Sequence, residues 1–318
     1  MVSFTSWRLG HATCLLFLAP DVVAGCTVRQ HSSVTVLLAG LAAIVFGLGD
    51  ILGGVAIQRA NRLGAPIAIA TIATFVGALI LGGVVLVRPP ETVRLEDVLW
   101  PIGAGTMAAI TRPLLYLGMA RGPVAVFAPG YGLTMIVVPA ILGPFIGQGL
   151  QTVEVIGLLL AVPAVVFLSG EGKLPKFGEF VRSPVIGLAL IVGTSLGMTG
   201  IFLTQAAPEA GDLPAFLVLA TGAVILPLAA CRQSSNLWPE RLVRRYGLVL
   251  GCFTGTAFLL STAAYLRGSA AVVTALVALC PGISVLVSWR FLGERLYPLQ
   301  ALGGFFGTIA VVCFSMAT

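Results

Sequence analysis

Residues 64–87 read GAPIAIATIATFVGALILGGVVLV. No side chain in this run is charged, and the run exceeds the roughly 20 residues with which a helix crosses a hydrocarbon core. Comparable apolar runs lie on either side, at 35–57, 98–119, 123–146, 153–170, 184–204, 213–231, 246–266, 268–289 and 298–317. Together they predict an all-α polytopic membrane protein with about ten transmembrane helices. Composition agrees: 58% of the 318 residues are hydrophobic and 9% are charged, against roughly 25% charged in a soluble domain. Charge this sparse cannot cover a water-facing surface. The 39 glycines fit the same setting, because small residues let membrane helices approach closely.

The net charge of +6 is spread over the joints between apolar runs, as helix-end anchors are. A nucleic-acid partner would require a contiguous basic stripe, and none is present. Six cysteines (Cys14, Cys26, Cys231, Cys252, Cys280, Cys313) show no metal-ligand spacing, so neither a metal nor another cofactor is expected. The expected partners are the lipid bilayer and a small-molecule substrate.

The first residues differ from the rest. Arg8 precedes a short apolar stretch, Ala12 to Ala19, and Val23-Ala24-Gly25-Cys26 resembles a lipoprotein cleavage box, but Asp21 interrupts the apolar region. Residues 1–34 are therefore expected to form an N-terminal tail, either disordered or upstream of the start actually used.

Internal repetition divides the remainder of the chain. Residues 147–157 read GQGLQTVEVIG and residues 293–303 read GERLYPLQALG, so that Gly147, Leu150 and Gly157 match Gly293, Leu296 and Gly303. In the same register Ala164-Val165-Val166 and Ser169 fall on Ala310-Val311-Val312 and Ser315. Pro129-Gly130 and Pro281-Gly282 both sit within the preceding runs, aligned with a gap, and are the candidates for helix breaks. The duplication divides the chain into a first five-helix repeat at 35–170, a linker at 171–183 and a second five-helix repeat at 184–318. An odd helix count makes the second copy enter from the opposite side, so the copies are expected to be inverted repeats with a substrate site between them.

Pro281, the stretch Leu292-Gly293-Glu294-Arg295-Leu296, Gln300 and Gly303 resemble the drug/metabolite transporter superfamily, in particular its ten-helix members with two EamA-type domains. The resemblance runs from about residue 35 to the end. Phe46-Gly47 lies where that family often has Trp-Gly, whereas Gln148-Gly149 replaces the acidic–basic pair in the first half. The resemblance implies transport of small molecules and cytoplasmic termini. The positive charges imply the other orientation. The face carrying the termini would hold five Lys or Arg (Arg8, Arg29, Arg88, Arg94, Arg267), and the opposite face twelve, among them Arg59, Arg121, Arg241, Arg244 and Arg245.

Two ionisable side chains fall deep in the runs, Asp50 in the first and Arg112 in the third. Each costs roughly 2.5 to 3.5 kcal/mol at membrane depth and so requires a partner or a wet cavity. Both lie seven residues before the ends of parallel runs, roughly 10 Å below one membrane face. They are expected to form a pair or to line one cavity. In one reading Asp50 accepts a coupling proton; in the other the pair only fixes helix packing. Gly47, Gly53 and Gly54 share the Asp50 face, which should abut a helix or a cavity. Glu294 and Arg295 are candidates for a junction cap or for a gate. Tyr116, Tyr131, Thr134, Thr199, Ser261 and Tyr265 either line a pathway or bond across packing interfaces.

An enzyme is not expected. Gly193-Thr194-Ser195-Leu196-Gly197 fits a nucleophile-elbow pattern, but it lies inside an apolar run, and both histidines, His11 and His31, are in the tail. The expected function is a secondary transporter that exports small organic metabolites or drugs by alternating access from a plasma membrane, of a bacterial inner-membrane type. The alternative is a non-transporting accessory protein, or a lipid-handling enzyme on the same scaffold.

Overall fold

A computed structural model describes residues 20–60, 65–121, 124–169, 183, 185–232, 241–280, 283, 286–287, 290 and 297–316. These residues form ten α-helices: α1 (Pro20–Ala60), α2 (Ala65–Val87), α3 (Glu96–Arg121), α4 (Val124–Leu142), α5 (Thr152–Ser169), α6 (Ile186–Leu203), α7 (Leu213–Arg232), α8 (Arg241–Tyr265), α9 (Ala270–Val277) and α10 (Pro298–Met316). Two 3-10 turns, Gly143–Ile146 and Pro208–Ala210, join α4 to α5 and α6 to α7. The fold is all-α. Seven helical segments among the described residues are long and apolar enough to cross a membrane, and α5 holds a shorter apolar helix. In α3, Glu96, Asp97, Arg112 and Arg121 and the internal Pro101 and Pro113 dilute the apolar content of a 26-residue helix. Large apolar side chains are exposed along the helices, Leu79, Leu159 and Val224 among them. Such exposure suits a hydrocarbon solvent.

At the N-terminus the structure departs from the sequence reading. The residues assigned to a tail are helical from Pro20, and α1 continues without interruption into its membrane-length part, Ser33–Ile57. The polar residues between 27 and 33 lack a helix breaker, so nothing in the backbone ends the helix there.

The most extensively packed helix pairs map onto one another when α1–α5 are exchanged with α6–α10. Helix α8 packs on α1 and α2, as α3 packs on α6 and α7; α2 meets α7 and α5 meets α10. This pattern is consistent with inverted-repeat packing. Glycines mark it residue by residue. A Cβ on Gly47 of α1 would lie 2.8 Å from the Cys280 carbonyl and 2.9 Å from Ile283 Cβ. On Gly193 of α6 it would strike the Tyr131 carbonyl and lie 2.6 Å from Thr134 Cβ. The two glycines are 146 residues apart, the same separation as Gly157 and Gly303. Gly157 takes Phe314 of α10 against it, and Gly303 takes Phe167 and Leu168 of α5. Gly105 admits the Val218 carbonyl, and Gly251 admits that of Ala73, again 146 apart. At each site a backbone or a large side chain fills the space of the missing side chain, so helix approach requires glycine.

These contacts also set the register of α4 against the segment after α9. Tyr131 occupies the place of Cys280, and Thr134 that of Ile283. The match of Pro129-Gly130 to Pro281-Gly282 differs from this register by three residues, close to one helical turn. Pro281 itself lies outside the described residues.

Candidate functional site

A cavity lies between the halves, lined by α1, α3 and α4 from the first and by α6, α8 and the α9 region from the second. It encloses about 880 Å³ of empty space, its mouth included. Its walls are mainly apolar: Val45, Phe46, Leu115, Met135, Leu196, Phe253 and Phe258. Within this lining are Asp50, Thr111, Arg112, Tyr131, Thr254 and Cys280. Asp50 and Arg112, expected to pair or to share a cavity, line this same one.

The guanidinium of Arg112 is held by both halves. Its Nη1 donates to Thr74 Oγ1 and to Thr254 Oγ1, each at 3.2 Å, and its Cζ lies 5.2 Å from the centroid of the Phe258 ring. Thr254 and Phe258 are four residues apart, so they present one face of α8 to the arginine. Neutral hydroxyls and an aromatic face help to accommodate the cation at depth.

Asp50 is placed by the glycine one turn before it. Because Gly47 lets the α1 backbone reach Cys280, the carboxylate Oδ2 lies 3.9 Å from Cys280 Sγ, within range of a long S–H···O bond. The glycine-rich face of α1 is only partly covered. Gly47 and Gly53 are buried, while Gly54 is exposed and has no neighbour near its Cβ position. The face turns away from its packing partners toward the helix end.

Polar ties cross the opposite end of the bundle, where α4 and α6 end and α9 begins. Gln148 Nε2 donates to Thr204 Oγ1 at 2.7 Å, and its Oε1 accepts from Ala270 N at 2.9 Å. Asp97 is buried; its Oδ1 accepts from Ala207 N at 2.7 Å and its Oδ2 from Arg94 N at 2.8 Å. Deeper in, the Tyr265 and Thr274 hydroxyls are 3.0 Å apart and buried. Sequence alone discounted Gln148 because it lacks the charge of Glu294, 146 residues later. Its amide nevertheless links the α4–α5 junction to α6 and α9 through both a donor and an acceptor.

Of the other sequence-derived candidates, Glu294, Arg295 and Pro281 lie outside the described residues. Pro129 is buried in α4, which stays helical beyond it to Leu142. It sits six residues into the helix, so its missing N–H removes one bond near the start and the later turns continue. Among the polar side chains, Tyr131 lines the cavity and Tyr265 bonds Thr274. Thr134, Thr199 and Ser261 bond carbonyls of their own helices, at Gly130, Ser195 and Phe258. The residues that hold Arg112 were missed. A signal existed for one of them: the repeat separation of 146 carries Arg112 onto Phe258.

Residues 183–316 match the EamA-like transporter family. That stretch includes Thr254, Phe258 and Cys280; Asp50 and Arg112 lie outside it. No curated protein matches the chain. Among solved structures, 29 chains match. One of them, described as "Crystal structure of protein", aligns with a TM-score of 0.67 at 17% identity over 90% of this chain and 96% of its own. At that identity the likeness shows the fold alone, and it extends over both halves. An EamA-like domain within a multi-pass membrane fold supports transport as the broad function.

Proposed function

We propose that this protein is a secondary transporter that exports small organic solutes by alternating access between two inverted halves of a bacterial inner membrane protein. The cavity between the halves carries this reading, with Asp50 and Arg112 facing it from within the membrane. A static packing pair would be expected in a dry helix contact; here both groups line a cavity between the halves. The polar ties through Gln148 and Asp97 close one end, and the cavity lies toward the other. Rocking one half against the other would exchange the open end.

In this mechanism Arg112 attracts an anionic group of the solute, and Asp50 accepts the coupling proton or binds a cationic group. The apolar walls take the remainder of the solute. Nothing in this cycle requires bond-making chemistry, so the protein acts as a carrier and not as an enzyme.

The test begins with exported metabolites compared between deletion and overexpression strains. The solute so identified is then tracked in proteoliposomes under an imposed pH gradient. Wild-type flux should respond to the gradient, Asp50→Asn should lose that dependence, and Arg112→Ala should lose flux. Unchanged flux in both variants, at normal expression, would remove the reading.

A further inference from the structure

A second groove opens between α2 and α8, with a lining that shares no residue with the central cavity. Arg241, Arg244 and Arg245 of α8 line its outer end, and Phe75 and Leu79 of α2 with Leu248 of α8 line its length. Phe75 is 53% exposed, Leu79 62% and Leu248 52%. With its open side included, it encloses about 1390 Å³.

The two helices start at the same membrane face and run side by side. Gly247 packs on Ile72 and Gly251 on Val76. At 1.5 Å per residue, Arg245 lies about 6 Å along α8 and Leu79 about 21 Å along α2. Three cations thus sit at interface depth, and the apolar track below them reaches past the middle of a roughly 30 Å core. Among the described residues, no acidic side chain lines the groove. Even with the neighbouring Glu240 in the sequence, the run 240–245 carries a net charge of +2.

The repeat shows that the fold does not require these arginines. The positions 146 residues before Arg241, Arg244 and Arg245 are Leu95, Val98 and Leu99 at the start of α3, on the opposite face. The scaffold accepts apolar residues there, with Leu95 and Leu99 both exposed. The cationic end of the groove therefore belongs to one face and not to the architecture.

We infer that this groove is a binding site for an anionic phospholipid. The lipid phosphate is held by the guanidinium groups of Arg241 and Arg245, and one acyl chain lies along Phe75, Leu79 and Leu248. Guanidinium suits a phosphate because it donates paired hydrogen bonds in a planar fork. A phosphate without an attached positive charge brings a net negative charge to the cluster, which favours phosphatidylglycerol over the zwitterionic phosphatidylcholine. The site is independent of the transport reading and concerns a different surface.

The test uses the full-length protein purified in detergent. Thermal unfolding and native mass spectrometry are monitored on adding phosphatidylglycerol, phosphatidylcholine or inorganic phosphate. Phosphatidylglycerol should raise the melting temperature and remain bound, and the other two should not. Arg241→Gln/Arg245→Gln should weaken retention of phosphatidylglycerol at least about fivefold. Leu79→Ser/Leu248→Ser should weaken it while leaving the arginines in place. All four positions are exposed, and should the arginine pair fail to express, Arg245→Gln alone is measured in its place. An equal response to phosphatidylcholine, an equal shift with inorganic phosphate, or undiminished retention in the arginine variant would each overturn the assignment.

Discussion

The two halves of this protein share a packing scheme and differ in their chemistry. Gly47, Gly105 and Gly157 have counterparts 146 residues later in Gly193, Gly251 and Gly303, and each counterpart meets the equivalent helix. Yet the family match covers only 183–316, while the two membrane-depth charges, Asp50 and Arg112, lie in the first half. At their mirrored positions the second half has Leu196 and Phe258, both lining the cavity. The difference separates two roles within the duplicated chain. Glycines that set helix distance occur at matching positions in both halves, where a neighbouring helix leaves no room for a side chain. Residues that face the cavity differ between the halves, which contribute different walls to one site.

The largest effects should come from breaking the chemical asymmetry. Arg112→Ala and Asp50→Asn should each lower solute flux more than about tenfold, a loss of at least about 1.4 kcal/mol of useful interaction. Normal expression and an unchanged melting temperature should accompany the loss. Proteoliposome flux with thermal unfolding checks this, and a loss of folding in step with flux would turn the pair into a packing element.

The shared packing gives the next effect, and it should be nearly equal in both halves. Gly47→Val and Gly193→Val should each destabilise by about 1–3 kcal/mol through overpacking. Gly54→Ala and Gly187→Ala, where no neighbour approaches the added carbon, should cause no loss. Melting temperatures in detergent make the comparison, and a large difference between the two valine variants would contradict the mirrored geometry.

Gln148→Ala should cost about 1 kcal/mol of stability by leaving the Thr204 hydroxyl and the Ala270 N–H without its amide. It should also make cysteines introduced near that end more reactive toward a water-soluble maleimide, which measures opening directly. Equal labelling with and without the substitution would show that Gln148 does not hold this end together.

Smallest of all, Thr74→Val and Thr254→Val should each reduce flux by about two- to fivefold, since a single long hydrogen bond contributes about 0.5–1 kcal/mol. Similar losses are expected, because Thr74 from the first half and Thr254 from the second bond the same Arg112 nitrogen. A tenfold disparity would mean that only one half holds the guanidinium.

Much of this was legible in the residues. Runs such as 64–87 have no soluble interpretation, because nothing in them can face water. The repeated separation of 146 could be read from Gly147 to Ser169, and it included the pair Gly157 and Gly303; the pairs Gly47 with Gly193 and Gly105 with Gly251 emerged from the packing. Asp50 and Arg112 were conspicuous because a charge in an apolar run is costly. Other features were not legible. The start of α1 was misplaced because a polar segment with no breaker continues a helix already formed. Gln148 was discounted because charge was sought where an amide does the joining. Thr74 and Thr254 resemble the other threonines, such as Thr134 and Thr199, which bond only carbonyls of their own helices.

Residue order alone places this chain in a membrane as helices, shows matches recurring at a separation of 146, and marks two charges that need company at depth. Each of these rests on the cost of water-loving groups in hydrocarbon or on the order of residues, properties of the chain and not of its folded neighbours. Folding brought the two charges to one cavity. It also decided that a threonine from each half and Phe258 hold the arginine, and that Gln148 ties the far end. Those facts depend on which helices touch and at what register. That is fixed by close contacts between glycines and residues more than 60 positions away, such as Gly193 against Tyr131 and Gly47 against Cys280.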